Sequence, residues 1–302
     1  MGTGPTAYRD FPMPEPLLAS ARAWLDRPEG DQGPTPARLS ASVLLLRDGA
    51  RGVEVFMQRR ASTMAFAPDV LAYPGGGVDP RDAEVDVSWV GPGPSVWAEL
   101  LGMPRASARQ VVLAAVRELF EECGVLLAGP GGGGPVQGLA ASGWQDERGA
   151  LLDRRVSLAE LLSRNGLSLR ADLLTAVGRW ITPACEPRRY DTAFFAARMP
   201  PGQVADGRTT ESVRSRWVAA TDALTERRDG VEAMLPPTQV LAEQLAASPG
   251  VSQVLVQRPR VHAVQPWPVE HDAAVWMRAP VDALGHGIPP DRPEGGASSW
   301  TP

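Results

Sequence analysis

Residues 115–125 read AVRELFEECGV and carry three carboxylates within five positions, at Glu118, Glu121 and Glu122. On a helix that turns 100° per residue, these three side chains share an arc of about 100°. The Val, Leu, Phe and Cys side chains of the same segment fall on the opposite side. The pattern therefore predicts an amphipathic helix over residues 110–123.

The three acids are placed unfavourably for a helix that needs only to be soluble. Glu118 and Glu122 form an i,i+4 pair of like charge, which costs about 0.2–0.5 kcal/mol. The acids also precede Gly124, a residue suited to end a helix, where the helix dipole favours cations. Mg²⁺ would remove both penalties, since it binds carboxylate oxygens. Geometry alone leaves two interpretations open, a metal site and a solvated acidic face.

The amino-acid composition limits the classes of protein to which the chain can belong. The chain has 302 residues, of which 43% are hydrophobic and 22% charged, as expected for one large domain with extensions or for two small domains. The net charge of −5 argues against a nonspecific nucleic-acid-binding protein, which normally carries a basic excess.

The cysteines and the chain termini suggest a cytoplasmic protein. Cys123 and Cys185 are too few for a disulfide framework and lack the spacing of a zinc site, so a reducing cytoplasm is expected. Cys123 lies on the apolar side of the predicted helix, which favours a buried structural thiol over a nucleophile. The first residues lack a secretory pattern, and no run of about 18 apolar residues predicts a membrane span.

The remaining pattern predicts strands on both sides of the central helix. Residues 40–58 read as a β-hairpin around Asp48-Gly49, and residues 69–82 as a strand followed by a glycine-rich loop. Further strands are predicted at 190–199 and 212–220, and helices at 158–166, 170–180, 221–228 and 236–248. This order predicts an α+β fold, or an α/β/α sandwich, in one domain.

The chain is expected to divide into a domain and two extensions. Residues 1–37 form an N-terminal extension with one short helix, residues 38–250 the main domain, and residues 251–302 a Pro-rich C-terminal extension. An insert at about 83–108, with GPGPS as a breaker, is expected to tolerate deletion of residues 83–104. The Pro-rich segments could pack across a homodimer.

Two separated pieces of the sequence resemble the Nudix box. Residues 117–125, RELFEECGV, match its second half, which is Arg, Glu, aliphatic, any, Glu, Glu, any, Gly, aliphatic. Gly76 and Asp82 resemble its first half, a glycine followed six positions later by an acid. Residues 83–116 separate the halves and form a much longer gap than the family usually has.

The interrupted box resembles a branch of Nudix hydrolases similar to coenzyme A diphosphatases, and residues 56–76, FMQRRASTMAFAPDVLAYPGG, resemble the element that precedes the box there. The resemblance implies a Nudix-type α/β/α sandwich with a mixed central sheet and inserted helices. It also implies Mg²⁺-dependent hydrolysis of the diphosphate bond of a nucleotide conjugate, most simply coenzyme A or an acyl-coenzyme A. Activity on ADP-ribose, NADH or another dinucleotide remains open, as does a nucleotide-binding module without turnover.

The same resemblance assigns roles to the helix. Glu118, Glu121 and Glu122 would ligate Mg²⁺ or Mn²⁺, and Glu121 and Glu122 would act directly in catalysis. Arg117 would orient one of these carboxylates through a bidentate pair. The alternative for Arg117 is a surface ion pair worth less than about 1 kcal/mol.

Residues outside the helix complete the expected site. Gly75 and Gly76 would let the loop backbone approach the metal and substrate closely, although a bare turn is the alternative. Glu211 would supply a further base or metal ligand, unless it is a charge at a strand edge. Arg60 and Arg189 would contact a substrate phosphate or remain solvated at the surface. Asp82 is either part of the site or a solvated loop acid.

Overall fold

The computed structural model describes residues 8–27, 34–64, 67–83, 86–209, 211–256, 260–282 and 285–287. The end of the predicted C-terminal extension, residues 288–302, lies outside the described residues. Within the described ranges, no helix is long and apolar enough to cross a membrane.

The described residues form fourteen strands and eight α-helices. The strands are β1 (Arg9–Pro12), β2 (Arg38–Gly49), β3 (Gly52–Arg60), β4 (Leu71–Ala72), β5 (Gly75–Gly77), β6 (Trp89–Val90), β7 (Ala128–Gly129), β8 (Ser168–Arg170), β9 (Thr175–Ile181), β10 (Tyr190–Arg198), β11 (Ser212–Ala219), β12 (Ala263–Val264), β13 (Trp267–His271) and β14 (Ala274–Ala279). The helices are α1 (Glu15–Leu25), α2 (Pro94–Leu101), α3 (Arg105–Cys123), α4 (Ser142–Leu152), α5 (Leu158–Arg164), α6 (Ala220–Arg228), α7 (Pro236–Ala246) and α8 (Val251–Val254).

An eight-stranded mixed sheet forms the centre of the fold. Its order is β11-β3-β2-β10-β9-β12, with β4 beside β3 and β5 beside β2. β10 runs parallel to β2 and β12 parallel to β9, whereas the other neighbouring strands are antiparallel. The predicted α+β fold and the predicted hairpin of β2 and β3 are confirmed.

Helices and two three-stranded sheets, β1-β14-β13 and β6-β8-β7, cover the two faces of the central sheet. Successive side chains of β2 alternate between two cores: Val43 and Leu45 pack with α2 and α3, whereas Leu44 and Leu46 pack with α7. The second core also takes up Phe11 of β1 and Met277 of β14. This is the expected three-layer arrangement, with apolar residues alternating across a sheet that is buried on both faces.

The described parts of the two terminal segments pack on their own chain. β1 pairs antiparallel with β14, and β14 pairs with β13, so both ends contribute to one three-stranded sheet. The predicted short N-terminal helix is present as α1, and β12 adds an edge strand to the central sheet. The domain bounds at 37 and 250 and the homodimer stay predictions.

The predicted helix at residues 170–180 is wrong. A short 3₁₀ turn at Ala171–Leu173 leads instead into β9, which pairs antiparallel with β10. The local LLTAV pattern suits a helix, but Thr175, Val177 and Trp180 also suit a strand, and pairing with β10 decides between them.

The insert is part of the core. The GPGPS segment is predicted to interrupt secondary structure. In the structure α2 begins within it, at Pro94, because proline is well tolerated at the first position of a helix. Trp97 and Leu101 of α2 are 0% exposed, and the Trp97 ring meets Phe195 edge-on with centroids 5.5 Å apart. The expected tolerance to deletion of residues 83–104 is therefore not supported. α3 begins at Arg105, five residues before the predicted start.

Candidate active site

The glycine segment fills a gap where two strands of the central sheet diverge. β2 pairs with β3 only near their turn, over residues 46–49 and 52–55. Beyond that point β5 pairs with β2, and β4 pairs with β3. A methyl group on Gly75 would collide with the backbone carbonyl of Ala41, and one on Gly76 would lie 2.5 Å from the Glu118 carboxylate. Glycine is thus required for the close approach of β5 to β2 and α3.

The α3 carboxylates lie beneath this strand instead of facing solvent. Glu118 is 9% exposed and Glu122 4% exposed, and Glu121 is partly buried. The backbone N–H of Gly75 donates to Glu122 Oε2 at 3.0 Å. The interpretation of this side of the helix as a solvated acidic face is wrong.

Arg117 is the centre of a buried ionic network. Its Nη1 donates to Glu118 Oε1 at 2.8 Å and to Glu121 Oε2 at 3.1 Å. Its Nη2 donates to the Gly77 carbonyl at 2.7 Å, and its Nε to Asp82 Oδ2 at 3.3 Å. Arg117 is 6% exposed and Asp82 3% exposed. Neither is therefore a surface charge, and each holds the other in place between α3 and the glycine segment.

If all were ionised, the buried acids would carry more negative charge than Arg117 can balance. Burial raises the pKa of Glu118 to about 7, although the charge of Arg117 opposes this shift. Burial also raises the pKa of Glu122 well above its ordinary range, and the charges of Glu118 and Glu211 add to the effect. Burial also raises the pKa of Glu121, and the charge of Arg117 again opposes this shift. An added cation would lower all three pKa values.

The donor chemistry of this cluster fits a hard divalent cation, because every candidate ligand is a carboxylate oxygen. In the part of the chain that the structure describes, no three or more His, Cys, Asp or Glu side chains converge closely enough to hold a metal ion as they stand. Glu118 and Glu121 are turned towards Arg117. Binding a cation would require these side chains to change rotamer.

The structure brings two more predicted residues to the same cleft. Glu211 is exposed just before β11 and lines the cleft with Glu118 and Glu121, and Arg60 lines it from the end of β3. Arg189 is not a lining residue: its guanidinium donates to the carbonyls of Thr182 at 3.0 Å and Thr35 at 2.6 Å. The predicted phosphate contact of Arg189 thus lacks support.

A residue that sequence reasoning missed holds the C-terminal end of α3. Arg148 of α4 is 3% exposed, and its Nε donates to the carbonyl of Glu121 in the last turn of α3 at 2.9 Å. Its Nη1 donates to Asp206 Oδ1 at 2.8 Å, in the segment that leads to Glu211. No local motif around Arg148 marks this role, because its partners lie 27 and 58 residues away.

The chain was compared with models of protein families, with solved structures and with curated proteins. No model of a known protein family matches the chain. A NUDIX hydrolase from Alicyclobacillus acidocaldarius, known from its crystal structure, is 30% identical, with 73% of this chain and 96% of that chain covered and a TM-score of 0.61.

Two curated relatives match more distantly. A nudix hydrolase of Caenorhabditis elegans is 29% identical over 211 residues, covering 67% of this chain and 58% of the relative. An acyl-coenzyme A diphosphatase of Gallus gallus is 27% identical over 243 residues, covering 68% of this chain and 62% of the relative. The chain thus spans about three fifths of each curated relative.

These matches support the resemblance to the coenzyme A diphosphatase-like branch. The bacterial structure is matched over nearly its whole length. The acid-rich helix beneath the glycine strand, together with Gly124 and Val125 directly after it, carries every specified residue of the second half of the Nudix box. The chain therefore belongs to the Nudix hydrolase family.

Proposed function

We propose that this protein hydrolyses the diphosphate bond of a nucleotide conjugate, with coenzyme A or an acyl-coenzyme A as substrate and Mg²⁺ or Mn²⁺ as cofactor. The observation that carries the proposal is the burial of Glu118 and Glu122 directly beneath Gly75 and Gly76. A fold has no structural reason to bury this excess of carboxylates, since unpaired buried charge is costly. The name of the Gallus gallus relative supports the choice of substrate class.

Glu118, Glu121 and Glu122 are the proposed metal ligands. A divalent cation bound there supplies neutralisation of the charge that develops on the phosphate oxygens. Arg117 donates one hydrogen bond to each of Glu118 and Glu121 instead of a bidentate pair to one of them, and Asp82 accepts from Arg117. Cation binding would turn the two glutamates away from Arg117.

The remaining roles belong to residues of the cleft wall. Glu211 is proposed to take the proton of the attacking water, because its carboxylate is exposed in the cleft and acts electrostatically on Glu118 and Glu122. Arg60 is proposed to contact a substrate phosphate, since a guanidinium binds phosphate oxygens well.

A turnover screen tests the proposal. Coenzyme A, acetyl-coenzyme A, ADP-ribose, NADH and a diadenosine polyphosphate are each incubated with saturating Mg²⁺, with EDTA in a parallel series. Metal-dependent release of 3′,5′-ADP from coenzyme A is the expected result. Cleavage of another compound alone would retain the reaction and change the substrate. Binding without cleavage of any compound would make the protein a binding module and overturn the proposal.

Glu122→Gln is the matching variant. Its amide oxygen can still accept from the Gly75 N–H, so the fold should persist while a metal ligand is lost. Glu99→Gln, an exposed residue of α2, makes the same chemical change outside the cleft. Unchanged turnover by Glu122→Gln would refute the metal assignment.

A further inference from the structure

The segment that leads to Glu211 has no regular secondary structure to fix its path. Residues 199–209 and Glu211 lie between the end of β10 and the start of β11, and the described part of this connection contains no helix or strand. Outside helices and strands, backbone groups find other hydrogen-bond partners, and these partners set the path of the chain. The place of Glu211 in the cleft therefore depends on what anchors this segment.

Two backbone hydrogen bonds tie the segment to the rest of the fold. The Asp206 N–H donates to the carbonyl of Cys123, the last residue of α3, at 2.9 Å. The Ala61 N–H, directly after β3, donates to the Glu211 carbonyl at 2.9 Å. Residues 207–209 lie between these two points and need a further anchor.

Arg148 of α4 supplies that anchor. Its Nη1 donates to both carboxylate oxygens of Asp206, at 2.8 and 3.0 Å, and its Nη2 donates to the Arg208 carbonyl at 3.3 Å. Its Nε donates at the same time to the carbonyl of Glu121, a proposed metal ligand, at 2.9 Å. One planar guanidinium thus joins the last turn of α3 to the backbone three positions before Glu211.

This contact is tightly packed, and Gly124 leaves the space for it. A methyl group on Gly124 would lie 3.0 Å from Arg148 Nη1 and 3.4 Å from Asp206 Oδ2. Gly124 also has a left-handed φ of 67° that ends α3. The glycine in the second half of the Nudix box therefore serves both the end of the helix and the approach of Arg148.

The position of Glu211 matters because its carboxylate belongs to the same cleft as the α3 acids. Glu118, Glu121 and Glu211 all line that cleft. The charge of Glu211 contributes to the raised pKa values of Glu118 and Glu122, so the groups interact in the folded protein. A displacement of about 1 Å in such a site typically costs about a hundredfold in rate.

We infer that Arg148 is a positioning residue that sets where Glu211 lies relative to the α3 carboxylates. This inference rests on the proposed function for the role of Glu211 as the base. Arg148 does not line the cleft, so it acts through Glu211 and not on the substrate. It gives α4, which lies outside both halves of the Nudix box, a part in the reaction.

Arg148→Met tests the inference, with Arg179→Met as the matched control. Arg179 also pairs with a carboxylate, through two hydrogen bonds to Asp191, and also donates to the carbonyl at a helix end, Leu101 of α2, but it does not line the cleft. Turnover of coenzyme A, or of whichever compound the screen shows to be cleaved, is measured at a temperature where circular dichroism shows both variants folded. Arg148→Met should lower kcat by about a hundredfold with KM within about threefold, and Arg179→Met should keep kcat within about threefold of the wild type.

A double-variant cycle separates positioning from a general loss of packing. Glu211→Gln removes the base and keeps a side chain of nearly equal size. Because Arg148 acts through Glu211, adding Arg148→Met to Glu211→Gln should lower kcat by less than about threefold further. The inference would be overturned by a further fall as large as that in the wild-type background, by equal falls in Arg148→Met and Arg179→Met, or by an unchanged kcat in Arg148→Met.

Asp206→Ala serves if Arg148→Met does not fold. It removes the same contact from the side of the partner, whose carboxylate is more exposed than the guanidinium of Arg148. Asp206→Ala should reproduce both the fall in kcat and the loss of that fall in the Glu211→Gln background. An unchanged kcat in Asp206→Ala would overturn the inference as well.

Hydrogen exchange separates this inference from the proposed function, because it needs no substrate. Amide exchange in a peptide spanning residues 204–209, followed by mass spectrometry, should be about tenfold faster in Arg148→Met than in Arg179→Met. Faster exchange, with no hydrolysis of any compound by the wild type, would support the anchoring by Arg148 and refute the hydrolytic function. Equal exchange in the two variants would overturn the inference even if the wild type hydrolyses coenzyme A.

Discussion

Replacing Gly76 by alanine should disable the carboxylate cluster without unfolding the protein. The added methyl carbon would lie 2.5 Å from Glu118 Oε1 and 2.6 Å from Cδ, whereas an ordinary contact needs about 3.5 Å. The carboxylate must therefore move by about 1 Å. Because it is the far end of a flexible side chain, this movement costs the fold little.

A displacement of about 1 Å in an active site typically costs about a hundredfold in rate, or about 2.7 kcal/mol of transition-state stabilisation. We therefore expect kcat/KM of Gly76→Ala to fall by about this factor, and the affinity for Mg²⁺ to weaken in isothermal titration calorimetry. The midpoint of thermal unfolding, followed by circular dichroism, should change by less than about 4 °C.

Gly77→Ala is the matched control, since its methyl group would meet no atom within 4 Å. It should retain both turnover and metal affinity. Gly75→Ala should instead lose stability, because its methyl group meets the backbone of Ala41, which cannot rotate away. If Gly76→Ala and Gly77→Ala behaved alike, the proposed contact between the glycine strand and Glu118 would be refuted.

Three further predictions follow from other parts of the fold. Trp97→Ala should lower the free energy of unfolding in urea by about 3–5 kcal/mol, because the side chain is 0% exposed; a loss below about 1 kcal/mol would show that the insert is peripheral. Arg148→Met should lower the free energy of unfolding in the same assay by about 1–3 kcal/mol, because the Glu121 carbonyl at the buried end of α3 loses its Arg148 donor. Asp206 loses the same donor but keeps the Arg208 N–H. Stability equal to the wild type would contradict this role. The folded protein binds the Glu118 proton more tightly than the unfolded chain does, so the free energy of unfolding without metal should fall between about pH 4.5 and about pH 7. Mg²⁺ should reduce this fall. The raised pKa would be contradicted if metal-free stability rose over that range and Glu118→Gln removed the rise.

Much of the site was predictable because its signals are local. The spacing of Glu118, Glu121 and Glu122 and the glycine after them lie within seven residues, so helical geometry alone places the acids on one side. The hairpin was predictable for the same reason, because Asp48-Gly49 stands between two apolar runs. What remained ambiguous was whether this side of the helix faces water, since that depends on what covers it.

The amino-acid sequence by itself determined the central helix, the hairpin, the glycine segment and the second half of the family motif, because each depends on residues close together in the chain. The tertiary structure alone decided that residues 175–181 form a strand, that the acids are buried beneath Gly75 and Gly76, and that α2 enters the core. It also decided that β1 pairs with β14, with Pro12 opposite Trp276, which lies 264 positions further along the chain. These outcomes depend on contacts between distant segments, whose free energy no local pattern contains.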